Sequence, residues 1–129
     1  MKSHRDLKVY QKAFNLAMEI FELSKKFPGE EKYALISQMR RSSRSVCSSI
    51  AEGYRKRLYP AHFVSKCSDA DMENTETQVW FDFALACEYV AKEKYLDLVN
   101  KSDEVGRMLH HMINNPNDYL TQEEKKRLK

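Results

Sequence analysis

Between residues 40 and 57 the chain reads RRSSRSVCSSIAEGYRKR, with six basic side chains against one acid, Glu52. Arg40, Arg41, Arg44, Arg55, Lys56 and Arg57 are the residues whose type and spacing best suit a chemical task. Arg40 and Arg44 are four apart and Arg44 and Arg55 eleven apart, so on a helix their charges reinforce one face. A guanidinium presents a planar fork of donors that matches phosphate. Arginines strung along a helix therefore suit a phosphodiester backbone better than a single base edge. The same side chains could instead pair with carboxylates of a neighbouring helix, and at this level both readings stay open.

Other chemistries find little footing. The sequence has no glycine-rich phosphate loop, no HExxH and no nucleophile flanked by turn glycines. Its histidines are His4, His62, His110 and His111. The last two are adjacent, so on a helix they diverge by about 100° and cannot easily share a metal. Di-metal bundles use a Glu-x-x-His pair on each of two helices, and none is present. Glu73 and Glu76 could meet on one face, but a solvated acidic surface explains them more simply. No catalytic residue, metal site or cofactor is expected.

The basic segment needs a helix to display it, and its remaining residues supply one. Ile36, Ser43, Cys47, Ile50 and Tyr54, with Met39 and Val46 at the edge, gather on one side of a helical wheel. Arg41, Arg44 and Arg55 gather on another with Ser37 and Ser48. Ser45, Ser49 and Gly53 form a third side, where small residues let a second helix approach. Such a helix touches two protein neighbours and still shows arginine outward.

Three breaks divide the chain into four helices. The first is expected over about residues 6–26, capped by Asp6 or by a Ser3–Asp6 capping box, with a stripe of Leu7, Tyr10, Phe14, Ala17 and Phe21 widened by Ala13, Ile20 and Leu23. Phe27-Pro28-Gly29 ends it. The second covers about 31–57. The third begins at Pro60, a well-tolerated first helical position, and runs to about 90. Its core stripe is Phe63, Cys67, Ala70, Thr77, Phe81, Ala84 and Leu85, with Asn74 and Gln78 on or beside it, which predicts a buried polar contact. A further apolar surface (Met72, Val79, Trp80, Phe83, Cys87, Val90) exceeds what an isolated bundle needs. Val79, Trp80 and Phe83 are therefore expected at an oligomer interface. After the short connection 91–94, the fourth helix spans about 95–114, with a stripe of Tyr95, Val99, Ser102, Gly106, Leu109 and Ile113 filled out by Leu98, Val105 and Met112.

The expected fold is thus all-α, an up-down-up-down antiparallel four-helix bundle over residues 1–116. Residues 117–129 form a polar tail, with a capping pair at Thr121 and Glu124 but almost nothing to bury, and it is expected to fray.

Only three glycines and three prolines among 129 residues agree with an all-helical chain, and no apolar run reaches the length of a membrane span. The first residues are too polar for a secretory signal. Cys47, Cys67 and Cys87 are odd in number and lack CxxC spacing; they read as small buried hydrophobes in a reducing cytoplasm. The net charge of +3 conceals an asymmetry. Residues 1–57 hold 13 basic and 6 acidic side chains, and residues 58–129 hold 9 and 13. The basic first half and the acidic third helix could neutralise each other across a contact.

The strings DLKVYQKA (6–13) and FPGEEKYALISQMRRSSRSVCSSIAEG (27–53), with ETQ at 76–78, resemble a known family: the four-helix-bundle proteins encoded in intervening sequences of bacterial 23S ribosomal RNA genes. The resemblance covers about residues 6–113. It implies a ring-like homo-oligomer, a homopentamer, without catalytic activity. Related bundles act as accessory factors of diversity-generating retroelements, which implies nucleic acid together with a reverse-transcriptase-like or ribosomal partner. The chain departs from the pattern at Cys47, where many members have proline, at Ser49, where many have asparagine, and around Ala70, Asp71 and Asn74. The resemblance supplies no set of functional residues. Two functions are carried forward: nucleic-acid binding through the second helix, with RNA favoured, and a protein-interaction scaffold whose arginines pair between subunits.

Overall fold

The computed structural model describes residues 2–128, and every long element in it is a helix. Ser3 and Asp6 form the expected capping box, but around a 3-10 turn at His4–Asp6; the first α-helix follows one residue later. The helices are α1 (Lys8–Ser24), α2 (Leu35–Arg55), α3 (Pro60–Ala86), α4 (Lys92–Asn114) and a short α5 (Gln122–Arg127). Around the bundle, α1 packs on α2 and α4, and α3 packs on α2 and α4. That is the closed antiparallel arrangement the four amphipathic stripes demand.

The core comes in two apolar halves with a polar seam between them. One half joins Leu7, Val9 and Ala13 to Ile50, Tyr54, Phe63, Cys67, Leu109 and Met112. The other joins Leu16, Ile20 and Phe27 to Leu35, Met39, Phe81, Ala84 and Leu98. In the seam, Thr77 donates to Ser42 Oγ at 2.8 Å, Asn74 Nδ2 donates to the Ser102 carbonyl at 2.9 Å, and Ser102 Oγ donates back to Asn74 Oδ1 at 2.9 Å. Gln78 adds bonds of 2.9 Å to Ser102 Oγ and Asp103. These buried polar groups of the seam each have a partner, as burial away from water requires. The polar contact expected around Asn74 and Gln78 is present, and it ties α3 to α4.

Several boundaries differ from expectation, each for a local reason. α2 starts at Leu35, because Gly29–Glu31 forms a 3-10 turn after Pro28 and Ala34 has a non-helical backbone. α3 stops at Ala86, with Glu88 in the left-handed region at φ 63°. Glu88 N–H bonds to the Leu85 carbonyl and Tyr89 N–H to the Ala84 carbonyl, both at 2.9 Å, a Schellman-type reversal. That reversal turns Val90 into the core, so Val90 does not belong to the outer apolar surface of α3. It also leaves Cys87 exposed at the end of the helix, whereas burial was expected. Cys47 and Cys67 are buried, and loss of hydration pushes their thiols up to about 11 and about 12, respectively. In α1 the buried line runs through Val9, Ala13, Leu16 and Ile20, leaving Phe14 exposed beside α2.

The C-terminal tail is also different from expectation. Leu120 is buried, Tyr119 packs against Phe63, and Thr121 and Glu124 form a capping box that starts α5. Burial of Leu120 and partial burial of Tyr119 supply the packing that composition alone did not suggest.

Candidate nucleic-acid interface

The three faces of α2 stand as the wheel places them. Ile36, Met39, Ser43, Val46, Cys47, Ile50 and Tyr54 are buried. Ser49 and Gly53 are buried toward α3: a Cβ on Gly53 would lie 3.3 Å from Lys66 Cβ and 3.9 Å from the Phe63 carbonyl. Ser37, Arg41, Arg44, Ser48 and Arg55 face outward.

The six basic side chains fall into separate situations. Arg40 Nε donates to Ser24 Oγ at 2.9 Å, its guanidinium lies 4.7 Å from the Phe21 ring centroid, and it thereby covers the C-terminal end of α1. Arg41 reaches across to α3, pairing with Glu73 at 3.3 Å and with Glu76. The Glu76 hydrogen bond leads in holding the Arg41 guanidinium more firmly charged than usual, and burial together with the nearby Glu76 carboxylate raises Glu73. This is the one place where the basic half and the acidic helix neutralise each other through an α2 arginine among the described residues. Glu73 and Glu76 are accordingly a clamp rather than a bare acidic surface.

Arg57 turns inward, contrary to its expected place on the basic surface. Its side chain is 13% exposed and pairs with Glu124 at 3.1 Å. It donates to the Tyr54 and Tyr119 carbonyls at 2.8 and 3.3 Å and lies 3.8 Å from the Tyr54 ring centroid. The guanidinium holds the C-terminal segment against the end of α2. Among the described residues, Arg44, Arg55 and Lys56 have no carboxylate within 4.0 Å. Arg55 and Lys56 sit at the far end of α2, about 21 Å along its axis from Arg41.

The other basic groups converge. Lys32, Arg40, Arg41 and Arg44, with Tyr33, Ile36 and three serines, line an open depression of about 660 Å³. Lys32 and Tyr33 precede α2 and were not singled out from the sequence. The available signal was that Tyr33 fits no core stripe although it adjoins the basic helix. It is 86% exposed, with Lys32 Nζ 5.4 Å from its ring centroid. On the other side of Arg44 a more apolar depression of about 310 Å³ opens between α1 and α2, walled by Tyr10, Phe14, Met18 and Cys47.

On α3, Val79 and Phe83 are 41% and 53% exposed, and Trp80 is half-buried against Phe83. Trp80 Nε1 has no hydrogen-bond partner although it is shielded from solvent. Among the described residues no group of three or more His, Cys, Asp or Glu side chains is placed to hold a metal. His110 instead meets Asp71 at 3.2 Å, and His111 meets the Tyr119 hydroxyl at 2.7 Å.

Fold and surface together define an antiparallel four-helix bundle with an outward basic face on its second helix. The sequence profile described as 23S rRNA-intervening sequence protein matches residues 5–111, and the chain belongs to that family. A crystal structure of a protein of unknown function from the S23 ribosomal protein family of Bacteroides thetaiotaomicron shares the fold. It is 28% identical with a TM-score of 0.73, the match covering 82% of this chain and 95% of that one. No curated protein matches the chain. No helix among the described residues is long and apolar enough to cross a membrane.

Proposed function

We propose that this protein is a non-catalytic, oligomeric nucleic-acid-binding bundle that holds phosphates along the outer face of α2. The observation that carries this reading is the open depression lined by exposed Lys32 and Arg44 and half-buried Arg40, none of which has a carboxylate within 4.0 Å among the described residues. Arg55 and Lys56 extend the charge to the other end of the helix, and Arg57 serves the fold. RNA is favoured as the ligand because the family is described by a ribosomal RNA intervening sequence. Phosphate contacts of this kind position a strand without reading its bases, so sequence preference should be slight.

The test is a salt titration of binding. Each phosphate contact contributes about −0.9 to the slope of log K against log salt on duplex and about −0.7 on single strands. Reversing Arg44 and Arg55 to Glu should weaken binding to every sequence alike and flatten that slope by about 1.5 or more. If the unaltered protein binds no nucleic acid at about 50 mM salt, the proposal fails, because counterion release is strongest there.

A second reading, a protein-interaction scaffold, has one observation in its favour: the exposed apolar line of Val79 and Phe83 beside half-buried Trp80 on α3. The two readings are compatible if that line joins subunits and leaves α2 outward. Arg41 already pairs with Glu73 and Glu76 of its own chain, which counts against it as an intersubunit link.

A further inference from the structure

Tyr33 has no structural employment that its exposure can explain. The turn that carries it is fixed by other residues: Pro28 and Gly29 set the preceding 3-10 turn, Ala34 N–H bonds back to the Glu31 carbonyl at 3.1 Å, and Leu35 enters the core. Its ring stands at the rim of the same depression that Arg40 and Arg44 line, continuing a row through Ser37, Arg44 and Ser48. The row from Ser37 to Ser48 is about 16 Å long. A flat aromatic face beside a row of cations is the pairing single-stranded nucleic acid requires: unpaired bases stack on the ring while their phosphates follow the charges. A duplex keeps its bases stacked on one another and offers such a ring nothing.

We infer that the α2 depression takes unpaired nucleotides, RNA or DNA, with a base stacked on Tyr33 and the adjoining phosphates on Lys32, Arg40 and Arg44. This rests on the nucleic-acid reading above and narrows its ligand to single strands, loops or ends. Arg40 and Arg44 are already oriented by the Phe21 ring, at 4.7 and 5.8 Å from its centroid, so less of their freedom is lost on binding.

The experiment is fluorescence anisotropy with labelled 20-nucleotide single strands of RNA and of DNA, the matching duplexes, and a single strand whose bases are replaced by abasic sites. Tyr33→Ala should raise Kd for both intact single strands by about 5- to 100-fold. It should change duplex and abasic-strand affinity less than twofold and leave the salt slope unaltered, because no phosphate contact is removed. Tyr33→Phe should bind like the unaltered protein. If Tyr33→Ala leaves single-strand affinity unchanged, or weakens duplex and abasic strands equally, the stacking inference is overturned while phosphate binding stands. If Tyr33→Ala lowers the particle mass in light scattering, the ring is a subunit contact and the inference is likewise overturned. If the unaltered protein binds none of the probes, the underlying nucleic-acid reading falls instead. Preference between the RNA and DNA strands identifies which of the two the depression serves.

Discussion

Replacing Arg57 with Ala should damage the fold and spare nucleic-acid binding, the reverse of what its place in the basic run suggests. The guanidinium makes four contacts: the Tyr54 carbonyl at 2.8 Å, the Tyr119 carbonyl at 3.3 Å, Glu124 at 3.1 Å and the face of Tyr54 at 3.8 Å from the centroid. Hydrogen bonds to a charged group contribute about 1.5–3 kcal/mol where buried. Both carbonyls can rehydrate in part once the tail loosens, whereas Glu124, with an 18% exposed side chain, loses its cation. We therefore expect a net cost of about 2–3 kcal/mol. For a chain of this length that is a fall in melting temperature of about 6–15 °C by circular dichroism. Because the contacts join α2 to residues 119–124, limited proteolysis should cut the variant first in that tail. Glu124→Gln should cost less, and the double variant should show a coupling of about 0.5–3 kcal/mol. The reasoning is refuted if Arg57→Ala melts within about 1 °C of the unaltered protein while nucleic-acid affinity drops as far as it does for Arg44→Glu.

Four further outcomes follow from contacts already described. Gly53→Val should cost about 1–3 kcal/mol in urea unfolding, since even a Cβ meets Lys66 Cβ at 3.3 Å; Gly53→Ala should nearly cancel, helix propensity offsetting the tight contact. Glu88→Gly should raise stability by about 1 kcal/mol, seen as a melting point higher by about 2–5 °C, because glycine tolerates the φ of 63° at the end of α3. Burial works to raise the Glu19 carboxyl, but hydrogen bonds from Lys94 at 2.5 Å and Lys101 at 2.9 Å outweigh it and hold the group below 4.5. The stability that Glu19 contributes is therefore complete above about pH 4.5 and lost as pH falls through the folded value, and Glu19→Gln should flatten that limb of urea midpoint against pH. Phe83→Glu should lower the particle mass in light scattering while leaving helical content intact, because the ring is half exposed in a single chain.

Much of the fold is legible in the sequence because helix faces repeat on a short period. Ile36, Ser43, Cys47, Ile50 and Tyr54 are buried together as their spacing requires, and Gly53 meets α3 where the small-residue row predicts a close approach. What the period does not contain is the rotation of a face when two stripes overlap. Tyr10, Phe14 and Phe21 look like the centre of the α1 core, yet the buried line lies through Val9, Ala13, Leu16 and Ile20. Both lines are apolar, and the helices α1 meets decide between them. The end of α3 is hidden for a different reason. A left-handed residue usually announces itself as glycine, and here it is Glu88.

The arginines show where a helical wheel stops being informative. Arg41, Arg44 and Arg57 belong to the same basic run, but their partners lie far away in the chain. Arg41 meets acids 32 and 35 residues on, brought opposite by the antiparallel register of α2 and α3. Arg57 meets the Tyr119 carbonyl 62 residues on, in a tail whose composition suggested no docking at all. Arg44 points away from α3 toward the α1 side, over Phe21, where no carboxylate waits. Whether an arginine stabilises the bundle or faces a ligand is thus fixed by what the other helices carry at that height, not by the arginine's own neighbours. The acids of α3 take Arg41 and leave the row from Tyr33 to Ser48 open on its other side. A strand lying in that row would add its phosphates to charges the protein does not neutralise itself. The desolvation cost of binding is then lower than at Arg41, where an existing ion pair would first have to be broken.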